Sequence, residues 1–149
     1  MIHGNCIDVL SQMPAESVDF ILTDPPYLVG FRDRTGRTLR NDTRDGLWLW
    51  PAMEQAYRVL KTDHVMLCFY GWSRAEKFID AWRQAGFYPV GHMVFPKRYI
   101  SKKGFLREQH EQAYLLAKGN PRRPNHPLSD VQSLLYTGNN LHPTQKAVT

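Results

Sequence analysis

The 149-residue sequence predicts an α/β fold with a mostly parallel sheet. Two continuous apolar segments, Val18–Thr23 and His64–Tyr70, have the pattern of strands buried on both faces of a parallel sheet. An amphipathic helix separates these strands, and a second helix follows the second strand. This alternation of strands and helices is typical of α/β proteins rather than of an all-helical or all-strand domain.

The first helix and the first strand are predicted from the residues that begin and end them. Asn5 is a good N-cap and predicts a short helix to about Gln12, which Pro14 ends. The strand Val18–Thr23 must end at Pro25-Pro26, because proline cannot donate a hydrogen bond to a neighbouring strand.

The later elements follow from periodicity and capping residues. Apolar residues at helical spacing predict a helix from Leu47 or Pro51 to Leu60. Ser73 and Glu76 form a capping-box pair that begins the next helix, and Gly86 ends it. Two further strands are predicted at Phe87–Phe95 and Gln112–Lys118, with a turn or hairpin between them.

Composition and charge limit the classes of protein to which this sequence can belong. A 42% hydrophobic fraction and a net charge of +5 fit a folded, basic protein, which we interpret as a single domain over residues 1–149. The chain contains no apolar run near the ~20 residues of a membrane span. Two distant cysteines and six histidines without ligand spacing predict neither a disulfide scaffold nor a metal site. We expect a cytoplasmic protein.

The segment Asp24-Pro25-Pro26-Tyr27 directly follows the first buried strand. Ligands of open α/β sheets bind at the carboxyl ends of strands, which makes this segment a candidate site. The alternative is structural: the prolines end the strand and Asp24 caps the next turn.

The tetrapeptide resembles the catalytic motif of amino-group methyltransferases that use S-adenosylmethionine and act on nucleic-acid bases. The resemblance implies a Rossmann-like methyltransferase fold with helices on both faces of the sheet. It also implies catalytic roles for Asp24, Pro25, Pro26 and Tyr27. An Asp in the first position of the motif points mainly to N6 of a flipped-out adenine in double-stranded DNA. A homodimer is left open.

Both ends of the chain are similar to the β-group of these enzymes, in which the catalytic motif precedes the cofactor motif. The similarity implies that Asn5, Cys6 and Asp24 contact the cofactor, together with His142, Pro143, Thr144 and Lys146. For Asn5, a plain helix cap is an equal alternative. The Gly-rich turn that follows in the family is absent from this sequence, so we expect a catalytic half of a longer domain with an incomplete cofactor half.

Two basic segments, residues 31–44 and 96–107, are expected on the same side of the sheet as Asp24. Phosphate contact is favoured over simple solvation of these charges. The candidate DNA-binding residues are Arg32, Arg34, Arg37, Arg40, Lys97, Arg98, Lys102 and Lys103.

Two alternatives to adenine methylation remain at this point. One is methylation of the N4 amine of cytosine. The other is a non-catalytic nucleic-acid-binding remnant of such an enzyme.

Overall fold

The computed structural model describes residues 2–32, 36–100 and 102–133. The helices are α1 (Cys6–Ser11), α2 (Leu49–Val59) and α3 (Ala75–Ala85). The strands are β1 (Val18–Thr23), β2 (Leu60–Phe69), β3 (Tyr88–Pro96), β4 (Lys102–Lys103), β5 (Arg107–Glu108) and β6 (His110–Lys118).

Four strands form one sheet in the order β1-β2-β6-β3. β1 pairs with β2 in parallel, and β6 is antiparallel to both of its neighbours. Three strands therefore run in one direction and β6 runs against them. The α/β class is confirmed, and the sheet is mixed. The predicted hairpin is also present, since β4 and β5 form a separate two-stranded sheet.

Alternating residues of the strands supply two apolar clusters, one on each face of the sheet. The first contains the fully buried Met66, Cys68 and Leu116 and packs against α2 and α3. α2 contacts both α1 and α3, so the described helices form one layer. The second cluster, formed by Phe69, Phe95 and Ala113, has no helix in contact among the described residues.

Most predicted element boundaries agree with the structure to within a few residues, but the capping box is wrong. Ser73 lies inside a short 3₁₀ turn, Trp72–Arg74, and α3 begins at Ala75 without a side-chain cap. A cap residue needs an extended backbone before the first helical turn, and Ser73 is already in a helical turn. The predicted end of this helix is confirmed, because Gly86 has the left-handed backbone of a helix stop.

Asp42 folds the loop after β1 back on itself. Its carboxylate accepts hydrogen bonds from the backbone N–H groups of Val29, at 3.0 Å, and Phe31. Its backbone carbonyl accepts a third from Gly30. Asp42 is only 4% exposed, and the neighbouring Leu28 is fully buried. The segment after the two prolines is therefore held by hydrogen bonds to one carboxylate and one carbonyl of the same residue.

We expect Asp42→Ala to lower the free energy of unfolding by about 2 kcal/mol, because it removes a buried carboxylate that accepts from the partly buried N–H groups of Val29 and Phe31. It should also speed tryptic cleavage at Arg32, Arg37 and Arg40. Urea denaturation and limited proteolysis measure both effects. Asp80→Ala, at an exposed carboxylate of α3, is the matched control. Equal stability of the two variants would contradict this role for Asp42.

Candidate active site

Strand direction brings distant parts of the chain to one edge of the sheet. β1 and β2 are in register to their ends, with Thr23 opposite Cys68. β3 ends at this edge, and the antiparallel β6 begins there, with Phe95 opposite Glu111. The residue after β1, Asp24, therefore lies at the same edge as Lys97, which follows β3, and Glu111, near the start of β6.

The predicted motif residues lie in different environments. Asp24 is exposed, Pro25 is buried, and Pro26 and Tyr27 are half-buried. The Tyr27 hydroxyl donates to Glu111 Oε2 at 3.4 Å and also interacts with the Asp24 carboxylate. Burial raises the pKa of Tyr27 far above its usual range, and the negative charges of Asp24 and Glu111 raise it further. Tyr27 thus remains a neutral hydrogen-bond donor.

The backbone that follows β2, at Gly71, leaves just enough room for Tyr27. A Cβ atom on Gly71 would lie 2.8 Å from Tyr27 Cβ and 3.1 Å from the Tyr27 carbonyl oxygen. Glycine is therefore required for this close approach. Tyr27 also packs against the cluster of Phe69, Phe95 and Ala113. The motif tyrosine is consequently fixed by packing as well as by its hydroxyl.

Lys97 and Glu111 form an ion pair next to the Tyr27 hydroxyl. Lys97 Nζ lies 2.6 Å from Glu111 Oε1, and the two side chains are 9% and 24% exposed. The Lys97 ammonium also lies 5.4 Å from the centroid of the Tyr99 ring. One carboxylate oxygen of Glu111 thus accepts from Lys97 while the other accepts from Tyr27.

This geometry changes the interpretation of Lys97. It was predicted to contact DNA phosphate, but its side chain is largely buried and its charge is paired with Glu111. Reaching a phosphate would require breaking this partly buried ion pair. The DNA contact of Lys97 stays a prediction, and the contact that the structure shows is the one with Glu111.

Other candidate DNA-binding residues lie at the surface. Arg32, Arg37, Arg40 and Arg98 are exposed. Lys102 and Lys103 form β4, paired in register with Glu108 and Arg107. Arg34 lies outside the described residues.

The β4–β5 hairpin carries apolar side chains at its tip. Phe105 is fully exposed, and Leu106 is 79% exposed. Gly104 donates a backbone hydrogen bond to the Leu106 carbonyl, which closes the turn. The hairpin connects β3 to β6 and so begins and ends beside the pair of Lys97 and Glu111.

The predicted cofactor contacts are only partly within the described residues. Asn5 Oδ1 accepts a hydrogen bond from the Ile7 N–H at 3.0 Å, so Asn5 caps α1. The exposed Cys6 is the first residue of that helix. Their cofactor contacts stay predictions. His142, Pro143, Thr144 and Lys146 lie outside the described residues.

Two carboxylates near the motif were given no role by sequence reasoning. Glu111 contacts Tyr27 across 84 residues of sequence, and Asp42 holds the loop that follows the motif. Their contacts depend on strand pairing and on the path of the loop, which local spacing in the sequence does not reveal. Within the described part of the chain, no group of three His, Cys, Asp or Glu residues could hold a metal ion. No helix in that part is long and apolar enough to cross a membrane.

Comparison with known proteins identifies the family. The sequence profile of a DNA methylase family, covering N6 and N4 methyltransferases, matches residues 18–148. A protein named putative methylase YubD, from Escherichia coli K12, is 55% identical over 148 residues. That match covers 99% of this chain and 65% of the relative, so the chain spans just under two thirds of the relative's length.

Solved structures confirm the fold. The M1.HpyAVI–SAM complex has a TM-score of 0.63 at 16% identity, covering 97% of this chain and 68% of the other. The cytosine-N4-specific PvuII DNA methyltransferase has a TM-score of 0.64 at 13% identity, covering 92% and 57%. The predicted methyltransferase fold is therefore confirmed. Because the family profile spans most of the sequence, the chain belongs to the DNA methylase family of N6 and N4 methyltransferases.

Proposed function

We propose that this protein transfers a methyl group from S-adenosylmethionine to the exocyclic N6 amine of an adenine in double-stranded DNA. The observation that carries the proposal is the exposed Asp24 carboxylate beside Tyr27, at the carboxyl edge of the sheet in a DNA methylase. We further propose that residues 1–149 form part of one catalytic domain. A homodimer and a cytoplasmic location stay predictions.

Asp24 and Pro25 suit an amine substrate. An exocyclic amine is a poor nucleophile, because its lone pair is delocalised into the ring. The Asp24 carboxylate would accept one N–H, and the Pro25 carbonyl would accept the other, which favours a pyramidal nitrogen with an available lone pair. Proline at positions 25 and 26 restricts the backbone that carries this carbonyl. Such orientation contributes to the rate without a strong base.

Tyr27 offers an aromatic surface for a base that has left the duplex. Extrusion of a base costs a few kcal/mol, and stacking on an aromatic side chain returns about 1–3 kcal/mol. The side chain is half-buried, with Gly71 on one side and the cluster of Phe69 and Phe95 nearby. A rigid ring loses little entropy when the base stacks on it.

S-adenosylmethionine supplies, when bound, a methyl group on a cationic sulfonium. The described edge fits a cation, because the Asp24 carboxylate is exposed there while the Lys97 ammonium is paired with Glu111. The residues proposed to hold the cofactor are Asn5, Cys6, Asp24, His142, Pro143, Thr144 and Lys146.

The two basic loops are proposed to contact the DNA backbone. Arg32, Arg37 and Arg40 lie on the loop that follows the motif, and Arg98 begins the loop that contains the hairpin. We include Arg34, Lys102 and Lys103 in this proposal from their positions in the sequence. Phosphate contacts of this kind orient a protein on DNA without specifying the sequence that it recognises.

Methylation of cytosine N4 is the second candidate. Both amines present two N–H groups to a carboxylate and a carbonyl, and the cytosine-N4-specific PvuII enzyme shares the fold. The Asp in the first position of the motif supports adenine. Digestion of methylated DNA and analysis of its bases separates the two products.

We expect Asp24→Ala to lower methyl transfer to DNA by at least about 100-fold, because it removes the acceptor that orients the amine. Transfer of labelled methyl from S-adenosylmethionine measures the effect. Asp8→Ala, which removes another exposed carboxylate, should retain activity. Full activity of Asp24→Ala would overturn the proposed function.

We also expect the hairpin tip to wedge into the duplex when the target base is extruded, as apolar side chains do in other DNA-bending proteins. Phe105→Ala should weaken binding to an intact duplex about tenfold and barely affect binding to a duplex with a mismatch at the target, which is already unstacked. Fluorescence anisotropy measures both affinities. Leu128→Ala, at a residue 83% exposed, is the control. Equal losses on both duplexes would exclude a wedge.

A further inference from the structure

Lys97 and Glu111 form a connected polar network with the motif. The network runs from the Lys97 ammonium to Glu111 Oε1, and from Glu111 Oε2 to the Tyr27 hydroxyl, which also interacts with Asp24. Its members come from the ends of β1 and β3 and the start of β6. We propose that Glu111 and Lys97 are positioning residues for the reaction, acting through the Tyr27 hydroxyl. This inference rests on the proposed function.

The first argument is the use of both carboxylate oxygens. A carboxylate that accepts from an ammonium on one oxygen and from a hydroxyl on the other has a fixed orientation. Tyr27 rotates about only two side-chain bonds, so fixing its hydroxyl also fixes its ring. Packing against Gly71 sets the base of the side chain, and Glu111 sets its far end.

The second argument concerns charge. The Tyr27 hydroxyl interacts with two carboxylates, those of Asp24 and Glu111, and Lys97 supplies a cation to the Glu111 carboxylate. Repulsion between these carboxylates would favour displacement of one of them. Lys97 balances the charge of Glu111, and so lowers the repulsion between the two carboxylates that meet the Tyr27 hydroxyl.

The third argument is that the pair is poorly suited to bind DNA. An exposed lysine contacts phosphate at little cost, but Lys97 is 9% exposed and held at 2.6 Å from its partner. The Lys61–Asp19 pair has the same 2.6 Å separation, with side chains 42% and 73% exposed. The two pairs therefore provide a buried and an exposed version of the same interaction in one protein.

The test compares kcat and KM for DNA in Glu111→Gln, Lys97→Met and Tyr27→Phe. Each substitution should lower kcat about tenfold and change KM for DNA by less than about twofold, since phosphate contacts are untouched. Lys61→Met is the matched control and should leave both constants unchanged. An increase in KM for Lys97→Met, with a weaker salt dependence of binding, would mean that Lys97 contacts phosphate and would overturn the proposal.

A double-mutant cycle tests whether Glu111 acts through Tyr27. In the Tyr27→Phe background, Glu111→Gln should change kcat by less than about twofold, because the hydroxyl through which it acts is already absent. Independent losses that multiply would overturn the proposal. Lys97→Arg should restore most of the activity lost in Lys97→Met, because arginine keeps the charge.

A second readout separates this proposal from the proposed function. Urea unfolding, without DNA or cofactor, measures the unfolding equilibrium constants of the wild-type protein, Tyr27→Phe, Glu111→Gln and the double variant. The factor by which Glu111→Gln changes this constant should differ about fivefold between the wild-type and the Tyr27→Phe backgrounds. Additive effects would overturn the positioning role. If the wild-type protein transfers no methyl group to DNA, the proposed function fails, and the urea cycle alone decides whether Glu111 holds Tyr27.

Discussion

β6 runs antiparallel between β2 and β3, with Ala113, Leu116 and Ala117 fully buried. Small side chains at two of these three positions let neighbouring side chains pack closely over β6. Because β6 runs against its neighbours, its first residues lie where β2 and β3 end. Glu111 thereby reaches Tyr27, although 84 residues separate them in sequence. A parallel strand in the same place would present its last residues at this edge and place Glu111 at the far end.

The two acidic side chains at the site, Glu111 and Asp24, lie in different environments. Glu111 is largely buried and bonded to a cation, as expected for a carboxylate removed from water. Asp24 lies at the surface, where water can solvate its charge until a substrate arrives. The same pattern recurs at Asp42, whose buried carboxylate accepts hydrogen bonds from two backbone N–H groups. Around the motif, the buried Asp42 and the partly buried Glu111 bond to groups within the protein, and Asp24 is the exposed acid that we propose to orient the substrate.

Sequence reasoning located β1, the motif and the end of α3, because each depends on local chemistry: an apolar run, two prolines, and a glycine with a left-handed backbone. It failed at Ser73, where the capping pattern is present but a 3₁₀ turn begins before it. It also assigned Lys97 to the DNA-binding surface, because it counted the charges along one basic segment without knowing their partners. The partner of Lys97 is 14 residues away on another strand, and only strand pairing shows that the charge is used.

Pairing of Lys97 with Glu111 also changes how the net charge of +5 is interpreted. The charge next to the motif is balanced within the protein, so the cations left for DNA lie farther out, on the loop before Asp42 and beyond Lys97 toward the hairpin. Phosphates would then be held around the site rather than at it. In the proposed reaction the substrate amine must be oriented by an acceptor, and the ion pair with Glu111 holds the Lys97 ammonium in a fixed place next to that site.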